Sequence, residues 1–518
     1  MAQDVLVQSC RVDLSPTVSR LSRNIVANYL GNGWGALMSF AFVPVYVHYL
    51  GIESYGLIGF FVSLQVLLGL LDLGLGAAAN REVARLSASP GSAEHLRYLL
   101  RTLEWLYWML AVLIAIGVWL AAHFIAATWL RPANLSLAEI ERALVLFGLA
   151  FAARWPFALY TGVMMGMQRQ VLFNGLRILV ETMRGAGSAA VLWLISASLD
   201  AFLVWNVFVA LLGSLAGAWG AWRCMPRSPV RPGFALALLR RIWKYAAGLT
   251  GIAVTAVILL QVDKLAISRM LPLEDFGYYA LAWAVASGLL QFVIPVNAAF
   301  FPPLSQSVAA GRGEELVALY RAGNQTVALL LVPLGMLLAV LPSEVLQLWT
   351  QNVLIAERAG PLLGLLAGGT MLHGLVILPY SLQLAYGWVR LAFWVNVAAI
   401  GLLVPLVIIL VATIGALGGA LVWLTLNVAY IFVSIQIMHT RLLPSEKWPW
   451  YRQVLFKPVA VVGSVTAVGK WAAMHVVSDI GLLLILGTTL GTSILACALT
   501  LPYIRPKLVG LIRTPLRT

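Results

Sequence analysis

The stretch Leu50-Gly-Ile-Glu-Ser-Tyr-Gly56 occurs a second time in the chain as Leu271-Pro-Leu-Glu-Asp-Phe-Gly277. The two leucines are 271 − 50 = 221 positions apart, and the shared glutamates (Glu53, Glu274) and closing glycines keep that offset. Each copy lies between two long apolar stretches, so each predicts the turn of a helical hairpin. Many transporters are built from a repeated set of membrane helices that hold the substrate between the two copies.

The composition predicts that these apolar stretches lie in a membrane. Of the 518 residues, 61% are hydrophobic and 10% are charged, and the mean hydropathy is +0.91. A soluble chain carries about 25% charged residues. Because backbone polar groups must be paired within lipid, we predict an all-α polytopic membrane protein with about 14 transmembrane helices. The predicted spans are 24–50, 57–80, 98–127, 143–168, 177–196, 200–222, 243–268, 277–303, 322–342, 361–386, 390–411, 414–439, 455–477 and 480–504.

The 221-residue offset extends well beyond the turn. When 221 is added to the residue numbers of spans one, two, three, four and six, the resulting ranges overlap spans seven, eight, nine, ten and twelve. An even number of spans in each copy gives both copies the same orientation, which predicts two parallel six-helix lobes plus a C-terminal helix pair. The predicted domains are a cytoplasmic segment 1–23, an N-lobe 24–222, a basic linker 223–242, a C-lobe 243–439, and 440–518 with spans thirteen and fourteen and a cytoplasmic tail.

The charge distribution argues against nucleic acid as a partner. The net charge is +14, but most Lys and Arg residues fall in segments on one side of the predicted spans. This bias is typical of cytoplasmic loops, so we expect both termini in the cytoplasm and contacts with membrane lipids. Residues 1–23 hold no apolar core, so the first span is expected to act as an uncleaved insertion signal. The three cysteines (Cys10, Cys224, Cys497) suggest neither a disulfide framework nor a metal site.

Four charged residues of the N-terminal half are candidate cavity residues. Arg177, Glu181 and Arg184 follow the spacing i, i+4, i+7, which places them on one helical face of span five. Arg154 lies in the middle of span four, beside Trp155. Because a charge at a helix centre costs about 2.5–3.5 kcal/mol on insertion scales, each is expected to face a cavity or a partner.

For each of these residues a structural alternative remains open. Arg177 can extend to the cytoplasmic surface. Arg184 can form an ion pair with Glu181, and Arg154 can bond to Glu181 or to backbone carbonyls. Trp155 can stack on a bound ligand or pack in the interior.

Four further polar residues lie within other spans. Asp72, in span two, is expected to face the cavity, where it can bind a coupling cation, titrate, or pair with Lys264 or Arg154. Gln261, Asp263 and Lys264 lie in the outer third of span seven, where they either face the central cavity or form an interfacial cluster. Since adjacent residues of a helix do not face each other, Asp263 and Lys264 are each expected to have their own partner.

The sequence resembles bacterial polysaccharide-biosynthesis flippases. The resemblance rests on Tyr49-Leu-Gly-Ile-Glu-Ser-Tyr-Gly-Leu-Ile-Gly59, Leu71-Asp-Leu-Gly-Leu-Gly76, Asn80-Arg-Glu-Val-Ala-Arg85, Gln261-Val-Asp-Lys264 and Pro302-Pro-Leu-Ser305. These flippases form the polysaccharide-transport branch of the superfamily (MOP) that also contains the multidrug and toxin extrusion (MATE) exporters. The resemblance covers roughly residues 20–440.

The resemblance implies an activity, partners and a location. Such proteins move undecaprenyl-diphosphate-linked oligosaccharide from the cytoplasmic to the periplasmic leaflet of the bacterial inner membrane. They serve exopolysaccharide, capsule or lipopolysaccharide O-antigen biosynthesis, with polysaccharide polymerase machinery as a possible partner. The implied transport cavity lies between the lobes and works by alternating access.

Two other function classes remain open. A MATE-type drug/cation antiporter shares the architecture, but the deep arginines do not favour a cationic cargo. A membrane glycosyltransferase or polymerase usually needs a sizeable extramembrane loop to hold its chemistry. The sequence contains no Walker loop, no G-x-G-x-x-G before a helix, no H-E-x-x-H and no metal-ligand cluster. No enzyme activity, cofactor or metal is therefore expected.

Overall fold

The computed structural model describes residues 15–72, 74–87, 89, 92–229, 232–235, 254–476 and 478–506, with side chains from residue 27 onwards. Within these ranges every regular element is a helix. The elements are α1 (Ser15–Ala41), α2 (Val43–Gly69), α3 (Leu75–Ser87), α4 (Ala93–Phe124), α5 (Leu137–Gly166), α6 (Gln170–Leu194), α7 (Leu199–Cys224), α8 (254–270), α9 (Leu273–Gly288), α10 (Leu290–Ala309), α11 (Gly313–Val340), α12 (Pro342–Thr350), α13 (Val353–Ala385), α14 (Val389–Ile414), α15 (Ala416–Ala429), α16 (Gln436–Leu442), α17 (Lys447–Trp450), α18 (Lys457–Ala473) and α19 (Asp479–Thr500).

The predicted all-α, multi-pass membrane architecture is confirmed. In the part of the chain that the structure describes, 11 helices are long and apolar enough to cross a membrane. The helices at predicted spans one, five and seven (α1, α6 and α8) are not among them. In α6 the charges of Arg177, Glu181 and Arg184 lower the hydropathy, and α8 is described only from residue 254. The count of about 14 spans therefore stays a prediction.

Both copies of the repeated turn interrupt a helix at the same register. Within α2, Gly51 has a φ of 79° and a ψ of 164°, which breaks the helix between predicted spans one and two. Only glycine adopts such a backbone without strain. In the second copy, Pro272 stands 221 positions later, between the end of α8 and the start of α9. Proline at this place ends one helix and starts the next, because it lacks the N–H donor of a helix interior.

The described chain divides into two compact units. The first comprises residues 1–42, 72–121 and 143–249, and so holds α1, α3, α6, α7 and most of α4 and α5. In this unit α6 packs against both α1 and α7. Its buried side chains include leucines, phenylalanines and tyrosines of α4 and α5, such as Leu103, Tyr107 and Tyr160.

The second unit comprises residues 43–71, 122–142 and 250–518. Its α2 packs against α9, so the two copies of the repeated turn lie within one unit. The long α13 is central to it, because α9, α11 and α15 all pack against this helix. The C-terminal pair α18 and α19 packs against α11.

The proposed lobe boundaries stay a prediction. Several segments of the predicted domains lie outside the described residues. These are 1–14 of the N-terminal segment, 230–231 and 236–242 of the linker, 243–253 of span seven and 507–518 of the tail.

Candidate functional site

A polar seam joins α1 to α6 in the first unit. Three side-chain pairs cross it, and their residue numbers increase together, so the two helices run in the same direction. The pairs are Asn174 Nδ2 donating to Asn28 Oδ1 (2.6 Å), Arg177 donating to Asn32, and Trp34 Nε1 donating to Thr182 Oγ1 (2.8 Å). Beyond them the seam closes tightly at Gly185, where a Cβ atom would stand 3.0 Å from the ring of Phe42. Polar side chains of one helix thus satisfy those of the other inside an apolar environment.

Three of the four predicted charges of the N-terminal half meet next to this seam. Glu181 of α6 lies between Arg154 of α5 and Arg184 of its own helix. Arg154 Nη2 is 3.6 Å from Glu181 Oε1, and Arg184 Nη2 bonds to Oε2, so each guanidinium uses a different carboxylate oxygen. Arg177 is close enough to Arg154 to interact with it electrostatically. These contacts are the structural alternative that the sequence left open for Arg154 and Arg184, and a role in the transport cavity stays a prediction.

The arginines are more exposed than the carboxylate that joins them. The Glu181 side chain is 10% exposed, whereas those of Arg154 and Arg184 are 43% and 33% exposed. An arginine carries five N–H donors, and the contact to Glu181 uses only part of this set. Three arginines and one glutamate leave a net charge of +2. The cluster therefore presents unused donors and positive charge, which suits a ligand with several anionic oxygens.

Asp72 is held by a different set of contacts. It ends the short turn Leu70–Asp72 before α3, where it accepts a hydrogen bond from the Tyr107 hydroxyl (2.5 Å) and from the Gly76 N–H (3.2 Å). The second contact is typical of a carboxylate at the start of a helix. Asp72 therefore has structural partners within the first unit, and its role in transport stays a proposal.

Trp155 packs in the interior of the first unit. It is buried, with its ring against Phe151 (centroid distance 5.4 Å) and Tyr107 (6.4 Å). Of the two alternatives for this residue, packing is the one that the structure supports.

In the second unit, Asp263 and Lys264 form a buried ion pair with each other. Lys264 Nζ lies 3.1 Å from both carboxylate oxygens of Asp263, and it also donates to the Leu260 carbonyl (2.7 Å). Each residue has a partner of its own, as expected: the Leu260 carbonyl for Lys264 and the Tyr279 hydroxyl for Asp263. The premise that the two side chains would not also face each other was wrong. Adjacent Cβ atoms do diverge on a helix, but the flexible lysine stem brings its ammonium group back to the neighbouring carboxylate.

Aromatic residues complete the surroundings of this ion pair. The Lys264 ammonium lies 3.5 Å from the centroid of the Trp283 ring, and the Tyr279 hydroxyl donates to Asp263. A cation over a tryptophan face is stabilised by the ring quadrupole. Gln261, one turn earlier, is also buried, and among the described residues its Oε1 accepts no hydrogen bond. Gln261, Asp263 and Lys264 thus lie in the protein interior, whereas the arginines of the first unit are partly exposed.

Sequence reasoning missed Asn32, Trp34 and Thr182. Each is uncharged, and Asn32 and Trp34 lie about 150 positions from their partners, so no local spacing connected them with the arginines. The available signal was the polar content of span one, where Asn28 and Asn32 recur at i, i+4 in an apolar helix.

Comparisons with known proteins give the family and, separately, the fold. The family model described as polysaccharide biosynthesis protein matches residues 21–308. Among solved structures, the lipid II flippase MurJ in an inward closed conformation is similar at a TM-score of 0.69 and 12% identity, covering 94% of this chain and 99% of that one. An inward-facing multidrug resistance MATE family transporter of the MOP superfamily is similar at 0.59 and 12%, covering 80% and 96%.

A MOP superfamily transporter from Pyrococcus furiosus, described as having a binding pocket of reversed polarity, is similar at a TM-score of 0.56 and 13% identity. The match covers 81% of this chain and 95% of that transporter. No curated protein sequence gives a significant match. At these identities the structural likeness establishes the fold alone, which the lipid II flippase and the MATE family transporter share.

Proposed function

Because the chain belongs to the polysaccharide biosynthesis protein family, we propose that it is a flippase for undecaprenyl-diphosphate-linked oligosaccharide. It moves this lipid from the cytoplasmic to the periplasmic leaflet of the bacterial inner membrane, with both of its own termini in the cytoplasm. The family and the fold favour a transporter over a catalyst. The energy source is then an ion gradient, the membrane potential or the removal of product.

The chemistry of the cargo sets what the protein must provide. Each unpaired hydroxyl or charge that enters hydrocarbon costs several kcal/mol, so the diphosphate and sugars cannot cross unaided. A flippase must offer the head group polar and cationic side chains while the lipid tail stays in the membrane. We propose that alternating access carries the head group past these side chains.

One observation carries the proposal: Arg154 and Arg184 share Glu181, and their side chains are still 43% and 33% exposed. Two partly exposed arginines on consecutive helices suit the two phosphoryl groups of a diphosphate, because arginine binds phosphate oxygens bidentately. Arg177 adds a third positive charge, and Asn32 holds it in place. Against these three cations the cluster holds a single carboxylate, that of Glu181, so an anionic cargo is favoured over a cationic one.

The experiment deletes the gene and measures the leaflet on which the lipid-linked glycan accumulates. Accumulation on the cytoplasmic leaflet supports the proposal, and accumulation on the periplasmic leaflet contradicts it. Arg154→Ala and Arg184→Ala are expected to abolish surface glycan with protein levels intact. Arg312→Ala, which removes an exposed arginine paired with Glu315, is the matched control and is expected to complement fully. Full complementation by Arg154→Ala and Arg184→Ala would refute the cationic site.

A MATE-type drug/cation antiporter is the second candidate, because transporters of that class share the fold. It predicts that the deletion strain becomes sensitive to cationic drugs while its surface glycan stays normal. The flippase proposal predicts the opposite pair of results. Both phenotypes are measured on the same strain, so one experiment decides between the candidates.

A further inference from the structure

Trp34 presents an aromatic face beside the arginine cluster. Its indole N–H donates to Thr182 Oγ1 at 2.8 Å, and Thr182 directly follows Glu181 in α6. The hydrogen bond fixes one edge of the ring, yet 37% of the residue stays exposed. Among the described residues, no other aromatic ring and no guanidinium group stacks on Trp34. The ring is therefore oriented, and its face is accessible.

The position of Trp34 in predicted span one is unusual for an exposed tryptophan. Exposed tryptophans of membrane proteins concentrate at the two membrane–water interfaces. Trp34 stands 34 − 24 = 10 residues after the start of predicted span one and 50 − 34 = 16 residues before its end. At 1.5 Å per residue these separations are roughly 15 Å and 24 Å, so the residue lies in the interior of that predicted span. An anchor in an interfacial belt does not explain this position.

The surroundings of Trp34 leave room for a ligand. A Cβ atom built at Gly33, the residue before Trp34, would meet nothing within 4 Å, so α1 is not tightly packed at that position. Asn32, two residues before Trp34 on α1, is exposed and accepts a hydrogen bond from Arg177. A fixed aromatic face thus lies on the same seam as the cations of the candidate diphosphate site.

We propose that Trp34 is a stacking platform for the pyranose sugar attached to the diphosphate. This inference rests on the proposed function, because it takes the arginine cluster as the diphosphate site. One face of a pyranose carries several C–H bonds with a small positive charge, and the face of an indole ring is negative. Stacking needs no particular hydroxyl pattern, so Trp34 recognises the presence of a sugar and tolerates changes in its identity.

The test compares two probes on purified protein in detergent: farnesyl diphosphate, and farnesyl diphosphate that carries one N-acetylglucosamine. Calorimetric titration gives the Kd of each. Trp34→Ala is expected to weaken binding of the sugar-bearing probe by about tenfold, the equivalent of one aromatic contact, and to leave farnesyl diphosphate binding unchanged. Trp34→Phe keeps an aromatic face and should bind the sugar-bearing probe within about threefold of the wild type.

Two controls separate stacking from other effects. Trp119→Ala removes an exposed tryptophan from α4 and should change neither Kd. Arg184→Gln should weaken binding of both probes, because both carry the diphosphate. Should Trp34→Ala fail to fold, Trp34→Phe and Trp34→Leu provide the same comparison between an aromatic and an aliphatic side chain of similar bulk.

The results that would refute the stacking role of Trp34 differ from those that would refute the proposed flippase function. An equal loss for both probes in Trp34→Ala, or no loss for either, refutes the stacking role and leaves the diphosphate site standing. So does a Trp34→Phe protein that binds the sugar-bearing probe as weakly as Trp34→Leu. Failure of the wild-type protein to bind farnesyl diphosphate would instead contradict the proposed function itself.

Discussion

Gly56 and Gly277, the closing glycines of the two repeated turns, each lie against the backbone of the other turn. A Cβ atom built at Gly56 would fall on the carbonyl oxygen of Leu273 and 3.0 Å from the Gly277 nitrogen. A Cβ atom built at Gly277 would fall on the carbonyl oxygen of Ile52. The repeated glycine thus marks a reciprocal contact of α2 with α9, in which the two helix backbones approach too closely for any side chain.

This contact predicts that alanine at either glycine is destabilising. Gly56→Ala and Gly277→Ala force the two turns apart, and each is expected to cost about 1–3 kcal/mol. Gly69→Ala is the matched control, because a Cβ atom at Gly69 meets nothing within 4 Å. Thermal unfolding of the purified protein in detergent measures all three. A Gly56→Ala protein as stable as Gly69→Ala would contradict the reciprocal contact.

The repeated glutamate predicts a difference between the two copies. Glu53 is buried and accepts hydrogen bonds from the backbone N–H groups of Ala133 (2.7 Å) and Asn134 (3.0 Å) in the loop after α4. Glu274, its counterpart, accepts one from the Tyr278 hydroxyl of its own helix (3.2 Å).

Glu53→Ala leaves those loop N–H groups without an acceptor, which is expected to cost about 1–3 kcal/mol. It should also speed protease cleavage within residues 130–136. Glu274→Ala is the control, and in this variant residues 130–136 should be cleaved at the wild-type rate. Equal cleavage rates in the two variants would show that Glu53 does not hold the loop.

The sequence predicted features that are local in the chain. Gly51 and Pro272 were recognisable as corners, because these residue types interrupt helices wherever they occur. Glu181 and Arg184 were recognisable as partners, because residues three apart share a helix face. The repeat also identified the two turns, although it did not reveal that they touch each other.

Features that depend on packing between distant helices were not predictable. Trp34 and Thr182 are 148 positions apart, and only the parallel packing of α1 against α6 brings them together. The Asp263–Lys264 pair was missed for another reason. Helix geometry gives the direction of Cβ atoms, whereas the position of a lysine ammonium depends on four further bonds and on its surroundings.

The arginine cluster predicts that stability and transport can be separated. Glu181→Ala removes the carboxylate shared by Arg154 and Arg184, and the remaining cations repel one another. Because the two arginines are partly exposed, solvent screens this repulsion, and the expected loss is about 1–3 kcal/mol. The double variant Glu181→Gln/Arg184→Gln should recover most of this stability, since it removes one charge of each sign.

Flipping is expected to stay impaired in that double variant, because the Arg184 cation is still missing. Unfolding temperature and surface glycan are therefore measured side by side. Glu315→Ala disrupts another i, i+3 pair, with Arg312, but an exposed one, so a loss of at most about 0.5 kcal/mol is expected. Recovery of transport together with stability would mean that Glu181 and Arg184 act only as a structural pair.

The buried pair of the second unit predicts a large effect from a single change. Lys264→Met leaves the Asp263 carboxylate buried with the Tyr279 hydroxyl as a donor but without its cation. Breaking a buried ion pair from one side is expected to cost about 3–5 kcal/mol, because an uncompensated charge stays in the interior. Adding Asp263→Asn removes that charge, so the double variant should regain most of the lost stability.

A second lysine of the same unit supplies the control for this prediction. Lys470 pairs with Glu344 at 2.5 Å, and the Glu344 side chain is 16% exposed, against 4% for Asp263, so the carboxylate left by removal of Lys470 is closer to solvent. Lys470→Met is therefore expected to cost about 1 kcal/mol or less. Thermal unfolding in detergent compares the three variants. If Lys264→Met and Lys470→Met were equally stable, the Asp263 carboxylate would have to reach water or another cation once Lys264 is gone. The buried ion pair would then not stabilise the helices around it.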